Sequence, residues 1–224
     1  MIESIKPTGI LSKFIEKYFI IEMESSNAFL PKERVYPIGN ATMVFHYGNP
    51  SKFQQNNSCE YVEPNLVICG QQTSYYDLSL AGKTGMVLIV FKPHGLKSFF
   101  SFPAIELLNE NLPVGDILNS EAAELEDRLF NANNNQERVI LLEDFLTKSL
   151  IYNNEYERVE HSLKMIDNFH GQMKVKEIAF EVCLGIKQFE RSFSKYVGLT
   201  PKKYASIVRL QNVIEVKRKH KCLS

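Results

Sequence analysis

A segment near the end of the chain constrains the fold most, because its apolar residues repeat at the spacing of two successive short helices. In the first helix, predicted to begin near residue 173, these residues are Val175, Ile178, Ala179 and Val182. In the second, predicted over residues 186–197, they are Ile186, Phe189, Phe193 and Val197. Spacings of three and four residues place each set on one face of a helix. Gly198 is suited to end the second helix, and Thr200 followed by Pro201 is suited to begin a third.

The opposite face of the second helix is polar and suits contact with the major groove of DNA. It carries Lys187, Gln188, Arg191, Ser194 and Lys195. Arg191 stands at its centre and can form two hydrogen bonds with guanine, whereas Gln188 can read adenine. We expect Lys187 and Lys195, with Lys202 and Lys203 at the next helix start, to contact phosphates. The alternative for Arg191 is an ion pair with Glu190 or Glu181, or exposure to solvent.

The charge of the chain is divided unevenly, although the formal total is zero. From Gly171 onward there are 12 cations and 4 anions, a net charge of +8, so the preceding residues carry −8. Such segregation favours an anionic partner for the C-terminal part. A solvated basic surface is the plainer alternative.

The first half of the chain predicts short strands separated by turns. Runs rich in β-branched and aromatic residues occur at 19–23, 41–47, 66–70, 75–80 and 85–91. The polar run at 52–59 is predicted to be a loop. We therefore predict an α+β protein, in which an N-terminal β-barrel or sandwich with packed helices precedes an all-α domain.

After residue 93 the sequence shows helical rather than strand patterns. Amphipathic helices are predicted near 121–130, 136–150 and 159–169, with a hinge at Asn153 and Asn154. The predicted domains are a β-rich sensing domain at 1–117, a helical linker or dimerisation region at 118–154, and a DNA-binding domain at 155–224.

The C-terminal segment resembles the first helix-turn-helix of the AraC-type transcription regulators. The matching stretches are EIAFEV at 177–182, FERSF at 189–193, GLTP at 198–201 and YASIVRL at 204–210. The N-terminal half is similar to the cupin-like sensing domain that precedes such modules, through RVYPIGNATMVF at 34–45 and VFKPHG at 90–95. The resemblance implies a regulator whose sensing domain controls how the DNA-binding helices are presented.

The sequence departs from the family pattern in three respects. Cys183 stands where the turn normally has glycine, so a positive φ there would be strained. Gly185 replaces the usual serine N-cap, at a cost of only a few tenths of a kcal/mol. The second helix-turn-helix of the family is missing from the sequence, which indicates either a fragment of a longer regulator or a natural short form. An alternative function is therefore a ligand-binding or regulatory partner without productive DNA binding.

Other functions find little support in the sequence. The four cysteines have no metal-finger spacing, and His46 and His94 form no metal-binding motif in the β-rich part. We recognise no catalytic constellation or phosphate-binding loop, and therefore expect no enzyme activity, cofactor or metal. No apolar run could span a membrane and no secretory signal is recognised, which favours a cytoplasmic protein. The expected partner is double-stranded DNA, and a small-molecule effector and a homodimer are compatible with the pattern. The sequence does not identify ligand-binding residues.

Overall fold

The computed structural model describes residues 1–24, 32–56, 58–80, 82–151 and 155–221. The predicted hinge at Asn153 and Asn154 lies outside the described residues. Within them the chain is an α+β protein, with a strand-rich N-terminal part followed by helices. This confirms the predicted fold class.

The described residues contain ten strands. They are β1 Ile2–Ile5, β2 Ile15–Glu24, β3 Glu33–Val35, β4 Thr42–His46, β5 Lys52–Gln55, β6 Tyr61–Val62, β7 Leu66–Cys69, β8 Tyr76–Ser79, β9 Lys83–Phe91 and β10 Asn111–Pro113. Two antiparallel sheets result, a larger one in the order β1-β2-β9-β4-β7-β10 and a smaller one in the order β3-β8-β5-β6.

Seven α-helices and three short 3₁₀ segments complete the described part of the chain. The α-helices are α1 Gly115–Leu118, α2 Ser120–Asn131, α3 Asn135–Lys148, α4 Tyr156–Asn168, α5 Val175–Glu181, α6 Ile186–Val197 and α7 Pro201–Lys221. The 3₁₀ segments are Gly9–Lys13, Leu96–Ser98 and Ala104–Leu107.

Alternation along the strands gives the larger sheet two different faces. On β4, Met43 and Phe45 belong to the main core, together with residues of α2 and α3, whereas Val44 belongs to a smaller cluster on the opposite face. Successive side chains of a strand point to opposite sides, so Thr42 and His46 share the face of Val44. This second face lines a cavity of about 360 Å³, whose other lining residues include Phe53 and Tyr76 of the smaller sheet.

The prediction of a loop at residues 52–59 is wrong for the first half of that segment. Residues Lys52–Gln55 form β5, which pairs with both β8 and β6. Phe53 is buried and stacks on Tyr76, with ring centroids 4.9 Å apart. One buried aromatic residue and two neighbouring strands therefore order a segment whose other residues are polar.

The C-terminal helices share the main core with the N-terminal part. Buried residues of α4 to α7 are continuous with those beneath the larger sheet. Helix α6 packs against the 3₁₀ segments Leu96–Ser98 and Ala104–Leu107. The helical module is therefore held against the β-rich part, and the division into domains at 1–117, 118–154 and 155–224 stays a prediction.

His94 lies at the contact between these two parts. It is 2% exposed, and its ring stacks on Tyr156 of α4 with centroids 5.5 Å apart. Phe14 packs edge-on against both rings. Burial lowers the pKa of His94 from 6.5 to about 4, so the folded protein holds the neutral imidazole.

We predict that His94 makes the protein less stable as the pH falls. Between pH 6.5 and 4 the unfolded chain binds a proton at His94 that the folded chain does not, so the free energy of unfolding decreases toward acid. Between pH 7.5 and 5 the loss attributable to His94 should be about 2 kcal/mol. Denaturant unfolding of the unmutated protein and of His94→Phe, followed across this range, measures the difference. Parallel pH profiles for the two proteins would show that burial of the imidazole has no such effect.

Candidate nucleic-acid interface

Helices α5 and α6 are joined by a four-residue turn, as the sequence predicts. The backbone N–H of Leu184 donates to the carbonyl of Ala179, 2.9 Å away, and that of Cys183 donates to Phe180 at 3.0 Å. Cys183 has φ of 55°, the left-handed conformation expected at the position where the family usually has glycine. The backbone therefore adopts a left-handed turn that suits glycine and accepts strain at an exposed cysteine.

The start of α6 has no side-chain cap. Gly185 is at the N-cap in an extended conformation, and Ile186 is the first helical residue. Ile186 is 45% exposed, so its predicted place in the buried stripe is wrong. It lies in the first turn of the helix, ahead of the residues that the core covers.

Aromatic residues hold the inner face of α6. Phe189 and Phe193 are at most 1% exposed, and their rings pack edge to face with centroids 5.6 Å apart. Phe193 makes the same kind of contact with Tyr204 of α7, at 5.8 Å. Tyr196, which the sequence stripe missed, is also buried. This anchoring fixes which face of α6 meets solvent.

The outer face contains the central residues of the predicted contact set. Lys187, Gln188 and Arg191 are exposed. Within the described residues, the Arg191 guanidinium makes no hydrogen bond or ion pair, so the alternative pairing with Glu190 or Glu181 does not occur. Its donors are directed to solvent from the middle of the helix.

Ser194 and Lys195 are engaged within the protein. The Ser194 hydroxyl donates to the carbonyl of Leu199, 3.3 Å away. Lys195 Nζ lies 2.8 Å from Glu155 Oε2, which also accepts a hydrogen bond from the Tyr196 hydroxyl at 3.2 Å. Burial and the nearby Glu155 raise the pKa of Tyr196 to about 12, so this hydroxyl keeps its proton at neutral pH. Both residues remain predicted DNA contacts, but each would first have to release its partner within the protein.

Lys202 and Lys203 are exposed in the first turn of α7. The predicted cap is confirmed, because the Thr200 hydroxyl oxygen accepts a hydrogen bond from the backbone N–H of Lys203 at 3.3 Å. The helix therefore begins where the Thr200-Pro201 pair indicates, and both ammonium groups are free to approach an anion.

An open groove of about 620 Å³ runs between α4 and α6. The predicted contact residues that line it are Gln188, Arg191 and Lys195. Arg158 of α4 lines the same groove and is a cation that the sequence reading missed, since nothing in its local pattern ties α4 to α6. Glu155 and Glu157 add negative charge at the same place. A phosphate approaching this side would meet a mixed electrostatic environment.

Two family models match the chain. Residues 165–205 match the bacterial regulatory helix-turn-helix proteins of the AraC family. Residues 3–113 match DUF6597, a domain of unknown function. No curated protein is similar enough to match.

Several solved structures are similar at low identity. ToxT from Vibrio cholerae is 11% identical, with 85% of this chain and 97% of that chain covered and a TM-score of 0.31. Wild-type ToxT from strain SCE256, bound to an unsaturated fatty acid, is also 11% identical, with coverages of 85% and 94% and a TM-score of 0.31. The AraC-like transcriptional activator CuxR is 12% identical, with coverages of 95% and 86% and a TM-score of 0.34. Because these scores are low, the assignment depends on the family match and on the helix pair itself.

The helix pair and the match at residues 165–205 together identify an AraC-type helix-turn-helix module in this chain. More narrowly, this chain joins that DNA-binding module to an N-terminal DUF6597 domain. In this arrangement α6 is the second helix of the motif, the one that enters the major groove in helix-turn-helix proteins.

Two further properties concern membranes and metals. Among the residues described, none of the helices combines the length and the apolar character that crossing a bilayer requires. Within the same residues, no three side chains of His, Cys, Asp or Glu come together as a metal site.

We predict opposite effects on stability from two substitutions at left-handed residues on either side of α6. Cys183→Gly should raise the free energy of unfolding by up to about 1 kcal/mol, because glycine adopts φ of 55° without strain and the replaced side chain is exposed. Gly198→Ala should lower it by about 1–3 kcal/mol, because φ is 79° and an added Cβ would lie 2.9 Å from the carbonyl oxygen of Ala104. Thermal unfolding of the two variants beside the unmutated protein provides the measurement. A Cys183→Gly protein that melts at a lower temperature would contradict the strain assigned to the turn.

Proposed function

We propose that this regulator binds the major groove of double-stranded DNA through α6. Arg191 would contact a base edge, Gln188 a neighbouring base, and Lys187 the phosphate backbone. Lys202 and Lys203 would add phosphate contacts from α7, and Lys195 would join them once released from Glu155. Ser194 would contribute after its hydroxyl leaves Leu199.

A single observation carries this proposal: the unpaired, exposed guanidinium of Arg191 stands at the centre of a helix whose opposite face is fixed by buried phenylalanines. A structural arginine would be expected to have a carboxylate or carbonyl partner. Exposure in the middle of the second helix of a helix-turn-helix therefore supports a role for Arg191 in base contact.

The DNA affinity of one such motif should be modest. Non-specific binding of proteins to duplex DNA at physiological salt has dissociation constants of roughly 10⁻⁴–10⁻⁶ M, and each good bidentate base contact adds about 1–3 kcal/mol. A homodimer would present two copies of α6 and multiply these contributions. We therefore propose that the protein acts on DNA as a dimer, in the cytoplasm and without catalysing a reaction.

We further propose that the cavity in the β-rich part binds a small-molecule effector. Tyr36, Pro37, Ile38 and Asn40 line this cavity. The same segment touches α7, since Gln211 Nε2 donates to the Pro37 carbonyl and a Cβ on Gly39 would lie 2.9 Å from the Tyr204 ring. Gln71 Nε2 donates to the Gly39 carbonyl at 2.8 Å and ties the segment to the larger sheet. An effector that moves residues 36–40 would therefore alter the support of α7, on which α6 packs.

Titration of a random-sequence duplex with the full chain at several salt concentrations tests DNA binding by α6. We expect measurable affinity at low salt that falls steeply as salt is added, because phosphate contacts release counterions. Arg191→Ala should weaken binding and, if the side chain meets a phosphate in non-specific complexes, reduce the slope of log K against log salt by about 0.9. Its melting temperature should not change, since the side chain makes no contact that the fold requires.

Arg128→Ala is the matched control, because Arg128 is an exposed arginine on α2, away from the proposed interface. It should leave both affinity and slope unchanged. Equal losses from the two substitutions would contradict the assignment of α6. No affinity of the unmutated chain at low salt would favour the alternative function, a regulatory partner without productive DNA binding.

A further inference from the structure

The cavity between the two sheets contains a polar cluster in an otherwise mainly apolar wall. Phe19, Phe53 and Leu88 are among the apolar lining residues, whereas His46 and Glu63 are polar residues buried beside them. Burial of a histidine and a glutamate in one apolar cavity is costly unless each is paired. The hydrogen-bonding capacity that these two side chains leave unused therefore indicates what the cavity can hold.

His46 has unused hydrogen-bonding capacity. The side chain is 1% exposed and ends strand β4 on the cavity side of the larger sheet. Its Nε2 lies 3.4 Å from Glu63 Oε2, yet within the part of the chain that the structure describes neither ring nitrogen makes a hydrogen bond. A buried polar group left without a partner typically costs about 1–3 kcal/mol, which a suitable ligand would recover.

Glu63 also has spare acceptor capacity. It is 6% exposed, and its Oε1 accepts one long hydrogen bond, 3.4 Å from Asn111 Nδ2. A carboxylate can accept about four hydrogen bonds. The amide of Gln72, which also lines the cavity, is already used, since it donates to Asn111 and accepts from Gln55. Glu63 therefore lacks hydrogen-bond donors, and one ring nitrogen of His46 can also accept a hydrogen bond.

Cations that could accept an acidic ligand are scarce. Lys17 is the one lysine or arginine among the described lining residues, and its Nζ lies 4.8 Å from the centroid of the Phe19 ring. A carboxylate or phosphate placed beside Glu63 would meet a like charge in an apolar environment, where repulsion is weakly screened. An uncharged or cationic hydrogen-bond donor would not meet this repulsion.

We propose that the effector is a small molecule with an apolar body and a hydroxyl or primary ammonium group, and that Glu63 and His46 select it over acidic molecules of the same shape. The polar group would donate to Glu63, and a hydroxyl could also bond to His46 Nε2. This inference deepens the proposed function, because it rests on the cavity being the effector site and names the chemical class that it takes.

Three probes with one apolar body test the selection: 4-phenylbutan-1-ol, 4-phenylbutylamine and 4-phenylbutyrate. Binding to the full chain is measured by calorimetry and by the rise in melting temperature. We expect the alcohol and the amine to bind roughly tenfold or more tightly than the carboxylate, a factor of ten being about 1.4 kcal/mol. Glu63→Gln should weaken the binding of the amine by a similar factor and reduce the difference in affinity between the alcohol and the carboxylate.

Glu124→Gln is the control, since Glu124 is an exposed glutamate on α2 and does not line the cavity. Its probe affinities should equal those of the unmutated chain. Tightest binding by the carboxylate, equal binding by all three probes, or binding by none would overturn the inference, and these results are available from the unmutated chain even if Glu63→Gln does not fold. Binding of duplex DNA without binding of any probe would contradict this inference alone. Binding of the alcohol and the amine without binding of DNA would contradict the DNA-binding proposal alone.

Discussion

The burial of Phe189 and Phe193 against Tyr204 determines how α6 is presented. Complete burial of a phenylalanine side chain contributes up to about 3 kcal/mol relative to its exposure. Rotation of α6 about its axis would expose these rings and carry the unpaired guanidinium of Arg191 toward the core, so both effects oppose it. Burial of the aromatic face of α6 thus keeps its polar face exposed to solvent. The aromatic cluster also joins α6 to α7, so the two helices that would meet DNA are held by one set of contacts.

The position of residues 36–40 connects this module to the rest of the protein. One side of the segment lines the cavity, and the other supports α7 through Gly39 and the Pro37 carbonyl. The end of α6 is held as closely, since Gly198 packs on the carbonyl of Ala104. Tightly packed contacts of this kind transmit displacements, because close-packed interiors have little room to absorb them. A ligand between the sheets and a duplex on α6 would therefore act on elements that touch each other, which is the physical basis of the proposed control.

The sequence allowed prediction of those elements whose signals are local. The bounds of α6 at Ile186–Val197, the Thr200 cap and the positive φ at Cys183 follow from spacing, capping residues and turn geometry. The strands β1, β3, β5, β6 and β10 were missed, since they are short and polar or lie near an edge, and pairing with distant strands orders them. The engagement of Lys195 by Glu155 and the groove position of Arg158 depend on how α4 packs, which local periodicity does not encode. The proximity of His46 to Glu63 likewise brings together residues from two separate strand regions.

The central claim, that the outer face of α6 lies against DNA, is tested most directly by photocrosslinking. A photoreactive benzoylphenylalanine is placed at position 188 on α6 in one protein and at position 124 on α2 in another, both sites being exposed. Each full-length protein is irradiated with a random-sequence duplex at low salt, where non-specific complexes form. The account predicts crosslinks to DNA from position 188 and few from position 124. Crosslinks from position 124 alone, or equal yields from the two positions in a protein that binds the duplex, would contradict it.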